Sequence, residues 1–270
     1  MPPSPARVRI TTQGEVAVVT LTRAERHNGM DFAMLDEVVR AQRAVRRLRD
    51  VRAVVLAGEG PSFCAGLDFK TALASPVRAV LRYPQLFWPF RNRFQQWSLG
   101  WRDLGVPVIA AIHGNCFGAG LQLALGADVR FCTPDASLSV MEAKWGLIPD
   151  MGGAVLLREL VRVDVAKELT LTGRVVTGAQ AAELGLVTHL ADDPMAAALA
   201  LAAEIATRSP DAVAAGKQLL QQAYGPGQRS VERAERWWQR RLLGFANFRI
   251  AVRRNQTGRE QPYARRRLGR

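Results

Sequence analysis

The sequence predicts an α/β fold with largely parallel core strands, followed by a helical C-terminal part. Two observations carry this. Strand-length apolar runs alternate with helix-length segments through the first 140 residues, and from Gly152 onward the pattern turns helical. In addition, glycine-bearing turns follow two of the apolar runs, where an α/β chain leaves its sheet.

Taken in order, residues 16–22 are rich in β-branched side chains and read as a strand. Residues 28–31 can cap a helix over 32–48, whose outer face carries Arg40, Arg43, Arg46 and Arg47. An apolar strand at 52–57 is broken by Gly58-Glu-Gly-Pro-Ser62. An irregular, partly helical stretch over 76–104 carries Tyr83, Trp88, Trp97 and Trp101 and is interrupted by Pro84 and Pro89. A buried strand over 106–112 leads into glycine-rich 114–120 and a short helix from Leu121 to Leu125. Short strands follow at 129–133 and 138–140, then helices near 152–160, 164–171, 178–184, 195–208, 211–223 and 229–251. The last three are separated by Ser209-Pro210-Asp211 and Gly225-Pro-Gly227. Domain limits of 1–205 for an α/β core and 206–270 for a helical region with a basic tail follow from this pattern.

A chain of 270 residues, 48% hydrophobic and 23% charged, can bury a sizeable core unaided. Collagen-like, disordered and disulfide-scaffold classes are excluded. Cys64, Cys116 and Cys132 form no CxxC pair and sit in apolar stretches, as buried thiols of a reducing compartment do. His27, His113 and His189 lack metal-ligand spacing, so no metal is expected. The opening Met-Pro-Pro-Ser-Pro-Ala-Arg has no apolar signal region, and the most apolar stretch, 106–129, is interrupted by His113, Asn115, Gln122 and glycines. A cytoplasmic protein without a membrane segment is expected. The net charge of +13 comes from the two ends, chiefly the C-terminal one. It fits either an anionic partner or a solvated surface with a frayed tail of Arg265, Arg266, Arg267 and Arg270.

The chemistry concentrates in three segments. Gly114-Asn-Cys-Phe-Gly118-Ala-Gly120-Leu-Gln-Leu-Ala124 aims backbone N–H groups outward from a strand-to-helix turn. It lacks the Gly-Lys-Ser/Thr of a P-loop, and Leu123 stands where a dinucleotide fingerprint needs its third glycine. A tight turn without a ligand reads equally well. Ser62-Phe-Cys-Ala-Gly66-Leu-Asp68 is a similar turn, with Asp68 placed to cap the next segment of chain. Two such turns can set two N–H groups around one carbonyl oxygen, as acyl chemistry requires for a developing oxyanion. The third segment, 139–153, is mostly apolar apart from Glu142, Lys144 and Asp150. A carboxylate in apolar surroundings has a raised pKa suited to proton transfer. The plainer readings are a Glu142–Lys144 surface pair and an Asp150 turn residue.

Together these segments resemble the crotonase (enoyl-CoA hydratase/isomerase) superfamily. The matching blocks are Arg23 to Asn28 with Met34-Leu35, Phe63 to Asp68, Pro107 to Asp128, Glu142 to Gly153, and Thr172-Gly-Arg174 through Gly185-Leu-Val187. The resemblance implies a spiral of ββα units whose C-terminal helices cover the site and build a homotrimer or homohexamer. It implies an acyl-CoA substrate and no separate cofactor, coenzyme A being part of the substrate. The oxyanion hole would fall on the backbone N–H groups of Leu67 and Ala119, and coenzyme A would contact Arg26, His27, Ala65, Asp68, Phe69 and Gly118.

Hydratases of the superfamily carry two glutamates, one matching Glu142 and one matching Gln122, which cannot exchange a proton near neutral pH. Dienoyl-CoA isomerases carry a glutamate and an aspartate at the positions of Glu142 and Asp150, with a further aspartate where Gln122 stands. The resemblance therefore favours a double-bond isomerase of the 3,5-dienoyl-CoA to 2,4-dienoyl-CoA type. The alternative is an enoyl-CoA hydratase using Glu142, with Gln122 positioning water. A basic RNA-binding member of the superfamily is the reading from another class, and no recognition-module motif supports it.

Overall fold

The computed structural model describes residues 6–68, 71, 84, 87, 89–224 and 228–269. Phe69, Tyr83, Trp88, the 225–227 break and Arg270 lie outside the described residues, as does most of 76–88. The main sheet has six strands in the order β1 (Val8–Gln13), β2 (Val16–Leu21), β3 (Ala53–Gly58), β4 (Val108–Ile112), β6 (Val129–Cys132) and β9 (His189–Leu190). Only β1 and β2 pair antiparallel, with Val8 opposite Leu21. The others are parallel, with Val16 opposite Ala53 and Val54 opposite Val108. A second sheet of three short strands joins β5 (Asn115–Phe117), β7 (Ser137–Ser139) and β8 (Val176–Thr177).

Parallel sheets need cover on both faces, so their strands are apolar on both. Ala17, Val19, Val54, Leu56, Val108, Ala110 and Ile112 point into the main core. There they meet the apolar stripe of α1 (Phe32–Arg47), formed by Met34, Leu35, Val38, Ala41 and Val45. Asp31 caps that helix through Met34 N at 2.8 Å. The intervening residues Val16, Val18, Ala53, Val55, Ile109 and Ala111 face Ala198 and Ala202 of α7 (Pro194–Ala206). Between them in sequence come α2 (Arg93–Arg102), α3 (Ala119–Leu125), α4 (Gly153–Leu160), α5 (Val163–Thr172) and α6 (Gly178–Glu183). All three cysteines are buried thiols, and burial pushes Cys64 and Cys132 up to about 12.

Three expectations from the sequence change. Strand β1 escaped notice because it is an edge strand whose side chains are mostly exposed. The helix expected over 229–251 is two, α9 (Gln228–Leu242) and α10 (Ala246–Thr257), because Gly244 turns at φ +76° between them. The basic tail is not frayed. Asp211, at the start of α8 (Pro210–Ala223), is buried, and its Oδ1 accepts from the backbone N–H groups of Arg267 and Leu268, both at 2.7 Å. Its Oδ2 accepts from Asn247 at 2.9 Å. Arg265 pairs with Asp50 at 2.8 Å, and the Arg254 guanidinium lies 4.8 Å from the centre of the Tyr263 ring. Asp211→Ala removes the shared acceptor and leaves buried N–H groups unpaired. The expected result is faster trypsin cleavage at Arg265–Arg267 with the rest of the chain intact, read by mass.

Candidate active site

The two turns singled out in the sequence meet where β3 and β4 end. In the first, Met30 N donates to Gly66 O at 2.7 Å, and Asp68 N donates to Met30 O at 2.9 Å. This parallel bridge uses the flanking peptides and turns the Leu67 N–H to the opposite side. In the second, Gly118 N donates to Ser139 O at 2.9 Å, and α3 starts at Ala119. Among the described residues, the N–H groups of Leu67 and Ala119 have no acceptor. The turns touch: a Cβ on Gly66 would lie 2.8 Å from Phe117 O and 3.7 Å from Ala119 N, and Gly66 sits at φ +91°. Only glycine fits both constraints.

Glu142 begins a single 3-10 turn, Glu142–Trp145, and is buried. A Cβ on Gly118 would stand 3.2 Å from Glu142 Oε1, so the carboxylate lies beside the peptide leading into Ala119. Gln122 Nε2 donates to Glu142 Oε1 at 2.6 Å, which excludes the surface pairing with Lys144. Glu142 Oε2 is buried without a partner among the described residues. Desolvation pushes the Glu142 pKa up, with repulsion from Asp150 adding to it and the Gln122 hydrogen bond opposing it. Asp150 lies on the turn before α4 and is exposed, yet desolvation raises its pKa too. Two carboxyl groups of raised pKa thus sit within electrostatic reach of each other.

Gln122 departs from its expected role. Its Oε1 is filled by Met151 N and Gly153 N, each at 2.9 Å, and its Nε2 is on Glu142. The amide oxygen and one amide N–H thus hold protein groups. Asp68 likewise spends its carboxylate internally. Arg23 Nη1 meets its Oδ2 at 2.8 Å, and Thr71 donates to it through N at 3.0 Å and through Oγ1 at 2.7 Å. Burial opposes the Asp68 charge, but the Thr71 bonds and the Arg23 guanidinium outweigh it and hold the carboxyl below its ordinary range. Asp68 is therefore the cap that the sequence allowed, its carboxylate held by Thr71 and Arg23. Ala65 N donates to His27 O at 2.9 Å, which sets the exposed Arg26–His27 loop against Ala65.

Trp97 was not foreseen here. It is fully buried, and its Nε1 donates to Ala119 O at 2.8 Å, steadying the peptide of the second turn. Trp101 is likewise a fully buried core side chain. Nothing local marks Trp97, since its partner lies 22 positions away. Among the described residues, no cluster of His, Cys, Asp or Glu could hold a metal ion, and no helix is long and apolar enough to cross a membrane.

A family model described as enoyl-CoA hydratase/isomerase matches residues 11–244. The chain is 34% identical over 219 residues to a mitochondrial Δ(3,5)-Δ(2,4)-dienoyl-CoA isomerase of Rattus norvegicus, covering 78% of this chain and 67% of the relative. It is also 34% identical over 208 residues to an enoyl-CoA hydratase of Mycobacterium tuberculosis, covering 76% and 77%. The fold superposes on an enoyl-CoA hydratase from Polaromonas sp. JS666 with a TM-score of 0.85 at 27% identity, covering 95% and 99% of the two chains. For an enoyl-CoA hydratase from Bacillus anthracis the TM-score is 0.86 at 26% identity, covering 95% and 98%. The crotonase-like α/β architecture expected from the sequence is borne out.

Proposed function

The chain belongs to the enoyl-CoA hydratase/isomerase family, and on that premise we propose that it is an acyl-CoA double-bond isomerase acting on 3,5-dienoyl-CoA. The observation that carries this reading is the placement of Glu142, buried with Oε2 unpaired beside Gly118, at the turn whose Ala119 N–H has no acceptor among the described residues, with Asp150 near enough for its charge to act on Glu142. The Leu67 and Ala119 N–H groups polarise the thioester carbonyl and stabilise the enolate formed when a proton leaves the chain. One carboxylate removes that proton, and the other returns one further along the acyl group. Shifting the double bonds takes away one proton and returns one, which leaves the two carboxyl groups with exchanged protonation states that proton exchange with solvent resets before the next turnover. Coenzyme A enters as part of the substrate, with Arg26, His27 and Ala65 forming its wall, and no separate cofactor is proposed. A cytoplasmic homotrimer or homohexamer is the assembly proposed.

Hydration is the second reading, favoured by the equal identity to an enoyl-CoA hydratase. The two are separated by offering the purified protein a 3,5-dienoyl-CoA and a 2-enoyl-CoA. A mass-neutral gain of absorbance from the conjugated 2,4-dienoyl thioester supports isomerisation, and addition of water to the enoyl substrate supports hydration. Asp150→Asn sharpens the distinction. It keeps shape but removes one proton carrier, so isomerisation is expected to fall by about 10²-fold or more. Isomerisation near the wild-type rate in that variant overturns the two-carboxylate mechanism.

A further inference from the structure

Gln122 is 2% exposed and lies on α3, one turn past Ala119. Its Oε1 receives two backbone donors, Met151 N and Gly153 N. Those donors decide which way the amide faces, because a reversed amide would set its NH2 against two N–H groups. The NH2 is thereby committed to Glu142, at 2.6 Å from Oε1. That donor stabilises Oε1 as an acceptor and cannot receive a proton from it, so protonation of Glu142 is favoured at the other oxygen. The remaining oxygen, Oε2, is the one left unpaired in the buried site. Gly153 belongs to the same arrangement, since a Cβ there would lie 2.6 Å from Gln122 Oε1 and displace the amide.

We propose that Gln122 is a positioning residue that keeps Glu142 Oε1 permanently an acceptor, so that Oε2 alone exchanges protons with the substrate. Through its Oε1 the same amide ties Glu142 to the backbone on either side of Gly152, directly after Asp150. The relative placement of the two carboxyl groups therefore passes through one side chain. This inference rests on the reading of Glu142 as the acid–base group. It does not depend on whether the product is an isomer or a hydrate.

The test is exchange of the α-protons of butanoyl-CoA in deuterium oxide, followed by mass across pH. The reaction needs only enolate formation. Asp150 is the charged group acting on Glu142 among the described residues and is left unchanged in every variant. Gln122→Met removes the donor, so the pH midpoint of exchange is expected to move up by about one pH unit. Gln122→Glu keeps acceptors for Met151 N and Gly153 N but faces Glu142 with a second carboxyl. Its midpoint is expected to move further up, or to split into two steps belonging to the pair. Because it preserves the backbone anchors, its thermal midpoint should stay near wild type in acid, where both carboxyls are protonated, which covers the case in which Gln122→Met unfolds. A slower exchange with an unmoved midpoint in Gln122→Glu means a merely structural role and overturns the proposal. Glu142→Gln is the control. Loss of exchange there, with the Gln122 variants titrating as wild type, overturns this inference alone. Wild-type exchange in Glu142→Gln overturns the acid–base assignment and this inference with it.

Discussion

Glu142→Gln is expected to lower turnover of the acyl-CoA substrate by about 10²- to 10⁴-fold, the range contributed by one positioned general acid or base. The replacement keeps the shape of the side chain and an oxygen able to accept from Gln122 Nε2, so the turns that bear Leu67 and Ala119 are undisturbed. On the proposed function KM should change little, because the proposed binding residues Leu67, Ala119, Arg26 and His27 are unaltered. Stability should move the other way. Burial raises the Glu142 pKa above its unfolded value of 4.5, so the ionised group destabilises the fold at neutral pH. That cost is fully present above the raised folded pKa and vanishes once pH falls below 4.5. Glu142→Gln is therefore expected to match or exceed wild-type thermal stability at pH 7, with the gain disappearing in acid. With Glu142 as the proton-removing base the wild-type rate should fall as pH drops through its raised pKa, and with Glu142 as the proton-returning acid it should fall as pH rises through it. A rate profile compared with thermal unfolding at the same pH values checks both signs. A variant that loses activity together with stability would show that Glu142 is structural.

Lys217→Met is expected to destabilise the fold by about 3 kcal/mol, read as a lower denaturant midpoint. Lys217, on α8, is buried, and its Nζ lies 2.7 Å from Asp128 Oδ2. It also donates to Val106 O at 2.9 Å and to Trp101 O at 3.0 Å. Burial draws its pKa below the ordinary lysine value, and the Asp128 charge opposes that pull. Methionine removes the desolvation penalty of the ammonium but strands three acceptors, and the second effect is the larger. Among the described residues, the Asp128 carboxylate then keeps the Val108 N–H, at 2.7 Å, as its hydrogen-bond donor. Because Lys217 fastens the C-terminal helices to the start of β4, their loosening should appear in hydrogen exchange before the main sheet opens. Unchanged stability would mean that the helices are held by their apolar contacts alone.

The parts of the fold legible beforehand were those with a local signature. The apolar runs of β2 and β3, the Asp31 cap and the glycine turns at Gly66 and Gly118 can all be read within a few residues. The pairing of two N–H-bearing turns was legible because each follows an apolar strand of parallel type. Edge strand β1 was not, because half-exposed residues carry little hydrophobic alternation. The break at Gly244 was not, because a lone glycine inside a helical pattern is tolerated as often as it ends one.

The sequence by itself determined the chemistry available: one buried-prone glutamate, a nearby aspartate, backbone donors on glycine-framed turns, and an amide, Gln122, at the position that the resemblance matches to the first of the two hydratase glutamates. Those are matters of residue type and order. Only the tertiary structure decided what each group does with its hydrogen bonds. Asp211 closes the tail from 56 residues away, Trp97 steadies Ala119 across 22, and Gln122 turns from a candidate for holding water into a strut between Glu142 and the Asp150 turn. A polar side chain can satisfy its donors and acceptors in many ways in an unfolded chain. The folded backbone, by placing the Met151 and Gly153 N–H groups on one oxygen of Gln122, leaves a single one.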